Sequence, residues 1–100
     1  VLLECLELET GKVQWKKRRE PKFGHGQLML VGNVLMVQTE YGELVLVEAT
    51  PDEYRELASI QVLDPVERAW NTPAFAPPYL LVRNPREMAC YRLPVKSAAE

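Results

Sequence analysis

One hundred residues, 47% hydrophobic and 26% charged, suffice for one small domain with a core and exclude an intrinsically disordered chain. A formal net charge of −2 leaves no global field to attract nucleic acid or an anionic membrane, and no apolar run approaches the ~20 residues of a helical membrane span. Two cysteines, Cys5 and Cys90, are too few for a disulfide framework and lack metal-ligand spacing; they read as small apolar core residues and leave the redox compartment open.

In chain order, the segment "VLLECLELE" lacks the basic head and cleavage site of a secretory signal. It starts at Val1 already in strand-like sequence, which suggests a piece of a longer protein. Short runs rich in Val, Leu, Tyr and Met then predict strands at 2–8, 12–18, 27–31, 34–39, 43–49, 54–62, 72–76, 79–84 and 87–93. The intervening "ETGK", "VGN", "EYGE", "TPDE", "APP" and "NPRE" carry Gly, Pro, Asn or Asp where a turn needs them. "TPDEYREL" also has a helix-capping pattern, Thr50 followed by Glu53, but "YRELASIQVL" continues with β-type residues at alternate positions and favours a turn into a strand. Runs 34–39 and 43–49 are almost wholly apolar, as in strands covered on both faces. "KVQWKKRR" and "YRELASIQ" alternate, as in outer strands. The Lys and Arg residues of "KKRRE" (16–20) read as a solvated guard against edge pairing.

The chain repeats. Superposing "LECLEL", "LVLVEA" and "MACYRL" aligns Cys5, Leu46 and Cys90, 41 and 44 residues apart; "HGQLMLVGNVLMVQT" over "WNTPAFAPPYLLVRN" aligns His25 with Trp70 and Leu35 with Leu80. Four short strands per period of this length predict an all-β fold, a partial β-propeller of two to two and a half four-stranded antiparallel blades. The boundaries follow: 1–20 ends one blade, 21–63 is a full blade, 64–94 an incomplete last blade and 95–100 a tail. Fewer than about four blades cannot close a ring. Exposed edges and faces are therefore expected to be covered by the remaining blades of a parent protein or by copies of this chain.

The stretch "LECLELETGKVQWKK" resembles the repeat of the PQQ-like, quinoprotein-alcohol-dehydrogenase-like β-propellers, a repeat shared with BamB-like outer-membrane assembly lipoproteins. Thr10, Gly11, Lys12 and Trp15 match its Thr-Gly-Lys turn and outer-strand Trp. The resemblance implies that Thr10 and Gly11 set the turn and that Trp15 docks one blade on the next. In "EATPDEYRELA" the turn and the Trp are lost, with Leu57 near the Trp position; after "CYRL" no outer strand follows. The resemblance favours a bacterial C-terminal propeller fragment in the periplasm or cell envelope. It implies PQQ and calcium only in a full-length parent, because adjacent cysteines and an oxygen-ligand cluster are missing here.

Neither a catalytic residue nor a cofactor or metal ligand emerges from this sequence. Candidate ligand contacts cluster at the mouth of the implied channel. His25 and Trp70 occupy matched positions before an innermost strand, with Asn71 and Arg83 as polar companions; Gly24 and Gly26 beside His25 signal a special backbone need. The expected role is a non-catalytic scaffold or an interaction module for a protein or ligand. The alternatives are a quinoprotein-type enzyme whose catalytic residues lie in other blades, and an envelope assembly factor.

Overall fold

The computed structural model describes residues 2–94. Every regular element among them is a β-strand: β1 (Leu3–Leu6), β2 (Val13–Lys17), β3 (Gln27–Val31), β4 (Val34–Gln38), β5 (Glu43–Glu48), β6 (Glu56–Gln61), β7 (Ala74–Ala76), β8 (Tyr79–Arg83) and β9 (Met88–Arg92). They form three antiparallel sheets, β1-β2, β3-β4-β5-β6 and β7-β8-β9. All pairings join neighbours in sequence, so turn chemistry alone sets the topology. The capping pattern at Thr50 does not start a helix. Its hydroxyl instead accepts the Asp52 N–H at 3.3 Å and closes a turn ahead of β6.

The central strands of the middle sheet, β4 and β5, are covered on both faces, and the pleat divides their residues between two cores. Val37, Val45 and Val47 pack with Phe23 against Leu3 of the first sheet; Met36 and Leu44 pack with Leu80 and Val82 of the third. Leu80, Val45, Val47 and Val82 are essentially free of solvent. Burying each such side chain stabilises the stack by roughly 2 kcal/mol. Outer strand β6 is exposed at every residue, its apolar Leu57 and Ile60 included, which goes beyond the one wet face or edge that its alternating sequence predicts.

Pairing registers make the repeat explicit. Met36 stands opposite Leu46 and Leu46 opposite Ala58; Leu81 stands opposite Cys90; Cys5 stands opposite Trp15. The residue equivalent to Trp15 in the middle sheet is thus Ala58, not Leu57 beside it. The sheets also meet in one sense. The Leu3 and Cys5 side of the first sheet faces the Val45 and Val47 side of the second, whose Met36 and Leu44 side faces the Leu80 and Val82 side of the third.

Two further features repeat. The turn after β4 pairs the Thr39 N–H with the Glu43 carbonyl at 2.8 Å, and the turn after β8 pairs the Asn84 N–H with the Glu87 carbonyl at 3.0 Å. In each, the first residue's side-chain oxygen also accepts the glutamate's N–H, at 3.1 Å from Thr39 and 2.8 Å from Asn84. Each glutamate then reaches back to the segment that leaves the preceding sheet. Glu43 accepts from the Arg19 guanidinium and Glu87 from the Asp64 N–H, the latter at 2.7 Å.

Two expectations need correction. Cys90 is exposed and Cys5 only half-buried, so neither is a core residue. Cys90 lies on the outward side of the third sheet, which no described sheet covers, whereas its equivalent Leu46 packs against a neighbouring sheet. Arg19 is not a solvated strand residue. β2 ends at Lys17, and Arg19 turns inward, 5% exposed, to bond Glu43, Glu56 and the Pro21 carbonyl. Its charge is fully partnered there rather than offered to an edge.

Candidate interaction site around Glu40

Glu40 follows β4 in a turn whose backbone is tied on both sides. Its N–H donates to the Phe23 carbonyl at 2.9 Å and its carbonyl accepts the Ala69 N–H at 2.7 Å. That position draws the carboxylate into the molecule, where it is 3% exposed. Its Oε1 accepts the His25 backbone N–H at 3.2 Å; its Oε2 accepts the Trp70 indole N–H at 2.9 Å and Nη1 of Arg68 at 2.8 Å. The matched residues His25 and Trp70 therefore meet on one buried carboxylate, which sequence reasoning did not single out.

The glycines beside His25 are required here for two different reasons. Gly24 has φ +63°, and a Cβ on it would lie 2.6 Å from Oε1 of Glu40. Gly26 needs space: a Cβ would stand 2.0 Å from the Gln38 carbonyl oxygen. Close approach of the 24–26 segment brings the His25 N–H to the carboxylate.

The opposite wall is segment 68–71, pinned by the amides of two glutamines. Nε2 of the fully buried Gln38 donates to the carbonyls of Ala69, at 3.1 Å, and Asn71, at 2.9 Å; Nε2 of Gln27 donates to the Trp70 carbonyl at 3.1 Å. With its backbone held, Trp70 keeps its N–H inward, and the residue is 54% exposed. The Arg68 guanidinium lies 5.5 Å from the ring centroid. Tyr41, 42% exposed, stands at the same turn as Glu40.

The other sequence-derived candidates are placed as follows. Asn71 takes part through its backbone carbonyl. Arg83 is on β8 and lines a separate groove of about 200 Å³ with Thr72, Leu81 and Met88; it is not a partner of Glu40. Thr10 and Gly11 form the turn between β1 and β2, where the Thr10 hydroxyl accepts the Lys12 N–H at 3.1 Å and Gly11 takes φ +74°. Trp15 spans the first and second sheets, its indole N–H donating to the Thr50 carbonyl at 2.8 Å and its ring meeting Tyr54 edge-on at 5.7 Å.

Electrostatics favour the ionised form of two carboxylates, buried Glu40 and partly exposed Glu56. The His25 N–H, with Trp70 and Arg68, holds Glu40 below the usual carboxylate range; Arg19, with Tyr54, does the same for Glu56. Burial, reinforced by Glu56, pushes the Tyr54 hydroxyl up and keeps it a neutral donor, 2.6 Å from Glu56. Depressed carboxylates bind their protons more weakly in the folded chain than in the unfolded one, where they titrate near pH ~4.3. Their contribution is therefore complete above that pH and lost as pH falls through their lower folded values. Urea midpoints should drop steeply below about pH 4.5, and the drop should be shallower in a Glu40→Gln, Glu56→Gln double variant. Parallel pH profiles for the two proteins would contradict the assignment.

Among the described residues, no group of three or more His, Cys, Asp and Glu is arranged to hold a metal. The two cysteines lie on different sheets. The donors present among the described residues do not fit a PQQ-calcium centre. Among the described residues, no helix is long and apolar enough to cross a membrane. No protein-family model matches the chain, and no curated protein matches it.

Proposed function

We propose that this chain is a segment of a β-propeller of the PQQ-like kind, three successive blades of which the middle one is complete, acting without catalysis as a scaffold and interaction module. The observation that carries this reading is the repeated sense of stacking. Equivalent faces, set by residues about one period apart, meet head to tail from the first sheet to the third. Three sheets stacked head to tail are too few to close a ring and leave complementary surfaces at both ends.

Those surfaces are visible. The outward side of the third sheet carries Tyr79, Leu81 and Met88, respectively 46%, 36% and 66% exposed, and the β3 edge of the middle sheet exposes Leu28 and Leu30. Leu81 is the register equivalent of Met36, which is buried between sheets. The reading expects such a side to receive another sheet, from a parent protein or from a copy.

The isolated chain should accordingly self-associate, its weight-average mass in sedimentation equilibrium rising with concentration. Leu81→Lys should shift the association to higher concentration while leaving the circular dichroism spectrum unchanged, since Leu81 contributes to the outward side. A folded chain that stays monomeric at high concentration would refute the proposal.

A further inference from the structure

The Glu40 site has an outward side whose chemistry points to a ligand class. An exposed arginine usually samples many rotamers, and ordering it offsets much of what a new contact gains. Arg68 is different: its side chain is 67% exposed, yet Nη1 is held by Glu40 at 2.8 Å and the guanidinium lies over the Trp70 ring. Among the described residues only Nη1 has an acceptor, leaving the donors on Nε and Nη2. The acid next to it in sequence, Glu67, is drawn away to Arg86 at 3.0 Å. Glu40 itself is covered and already accepts from three donors, and it holds Nη1 alone, so it orients the arginine without occupying its free edge.

A planar, pre-oriented guanidinium edge matches a carboxylate, which it can bind through two parallel hydrogen bonds. The exposed Trp70 ring offers an apolar surface beside it, and Tyr41 adds a second aromatic at the same turn. Trp, Tyr and Arg are the side chains that dominate binding energy at protein interfaces. The platform is rigid because Gln38, Gln27 and the Glu40 carbonyl hold its backbone. It is thus organised before binding, which lowers the entropic cost of association.

We infer that Arg68 and Trp70 form a recognition site for an acidic peptide segment, taking an Asp or Glu carboxylate on the outward guanidinium edge and an adjacent apolar side chain on the indole. This rests on the interaction-module reading and gives that module a partner chemistry. Arg68 makes the charged contact and Trp70 the apolar one, while Glu40 is a positioning residue.

The test uses the full chain carrying Trp15→Phe, so that Trp70 is the sole indole reporter. A short blocked peptide of alternating Glu and Leu is titrated against it, with the Gln-Leu peptide as control. The Glu peptide should change Trp70 emission saturably, and the Gln peptide should bind at least about tenfold more weakly, the size expected for losing a charge-assisted hydrogen bond. Arg68→Gln should weaken the Glu peptide by a similar factor, and Arg68→Lys by less, because it keeps the charge and loses the fork. Circular dichroism of both variants should match the parent.

Absence of saturable binding, equal binding of the two peptides, or binding unchanged by Arg68→Gln would each overturn the inference. So would inorganic phosphate displacing the Glu peptide at concentrations below that peptide's own, which would identify a phosphate site. Failure of the peptide to bind a chain that self-associates removes the acidic-segment assignment alone; a monomeric chain that binds the peptide removes the propeller reading alone.

Discussion

Gly26→Ala should cost about 3 kcal/mol or more in the urea unfolding free energy, the upper end of what overpacking produces. The added Cβ would lie 2.0 Å from the Gln38 carbonyl oxygen and 3.0 Å from Thr39 Cα, and these are backbone atoms that cannot rotate away. Relief requires moving the start of β3 off β4. That motion strains the hydrogen bond from the Glu40 N–H to the Phe23 carbonyl and disturbs Gln38, the residue that pins segment 69–71. The damage should therefore reach Trp70, appearing as a red shift of its emission in the folded protein. Gly11→Ala is the control. At φ +74° with nothing within 4 Å of its Cβ position, it should cost only about 1 kcal/mol, the strain of a left-handed residue. Equal losses for the two variants would show that close approach at Gly26 does not constrain the fold.

Arg19→Ala should destabilise the chain by about 3 kcal/mol, measured in the same assay. Arg19 makes a two-pronged pair with Glu43, 2.8 and 2.9 Å, and reaches Glu56 at 2.7 Å; the carboxylates are 13% and 31% exposed. Removing the cation leaves two negative groups close together and partly shielded from water, the situation in which breaking a pair costs far more than the pair itself contributes. Partial exposure of Glu56 lets water offset some of this, so the lower end of the buried-pair range applies. The bond also joins the segment leaving the first sheet to the second. Arg19→Ala should therefore loosen Trp15 from Thr50 and redden its emission. In a double-mutant cycle, Arg19→Ala with Glu43→Ala should lose less than the sum of the single losses. A loss of about 0.5 kcal/mol, typical of a surface pair, would contradict the burial seen for Arg19.

What could be read in advance, and what could not, separates by the range of the interactions. All nine strands lie within the runs expected from alternation and turn residues, because antiparallel neighbours are decided locally. Gly24 and Gly26 announced a backbone constraint without revealing its partner. Glu40 could not be found this way. In "EYGE" it looks like an ordinary solvated turn acid, and its burial exists only because segments 23–25 and 68–70 converge on it from opposite directions along the chain. The repeat alignment came nearest, since pairing His25 with Trp70 named two of its three partners.

"KKRRE" shows the same limit from the other side. Four cationic residues in a row carry no local signal that distinguishes the one that turns inward. That depends on β2 ending at Lys17 and on Glu43 and Glu56, from opposite ends of the paired strands β5 and β6, both reaching the same guanidinium. The two cysteines failed for a related reason. Equivalent positions in a repeat share a register, but only a neighbouring sheet turns that register into burial, and Cys90 has none among the described residues.

By itself, then, the sequence determined an all-β chain, its nine strands, its turns and its period, since side-chain alternation and turn chemistry act over a few residues. Tertiary structure alone decided which charges are buried and which aromatic surface stays open. Those outcomes depend on sheets stacking face to face, which brings together groups that the chain keeps 15 to 37 residues apart.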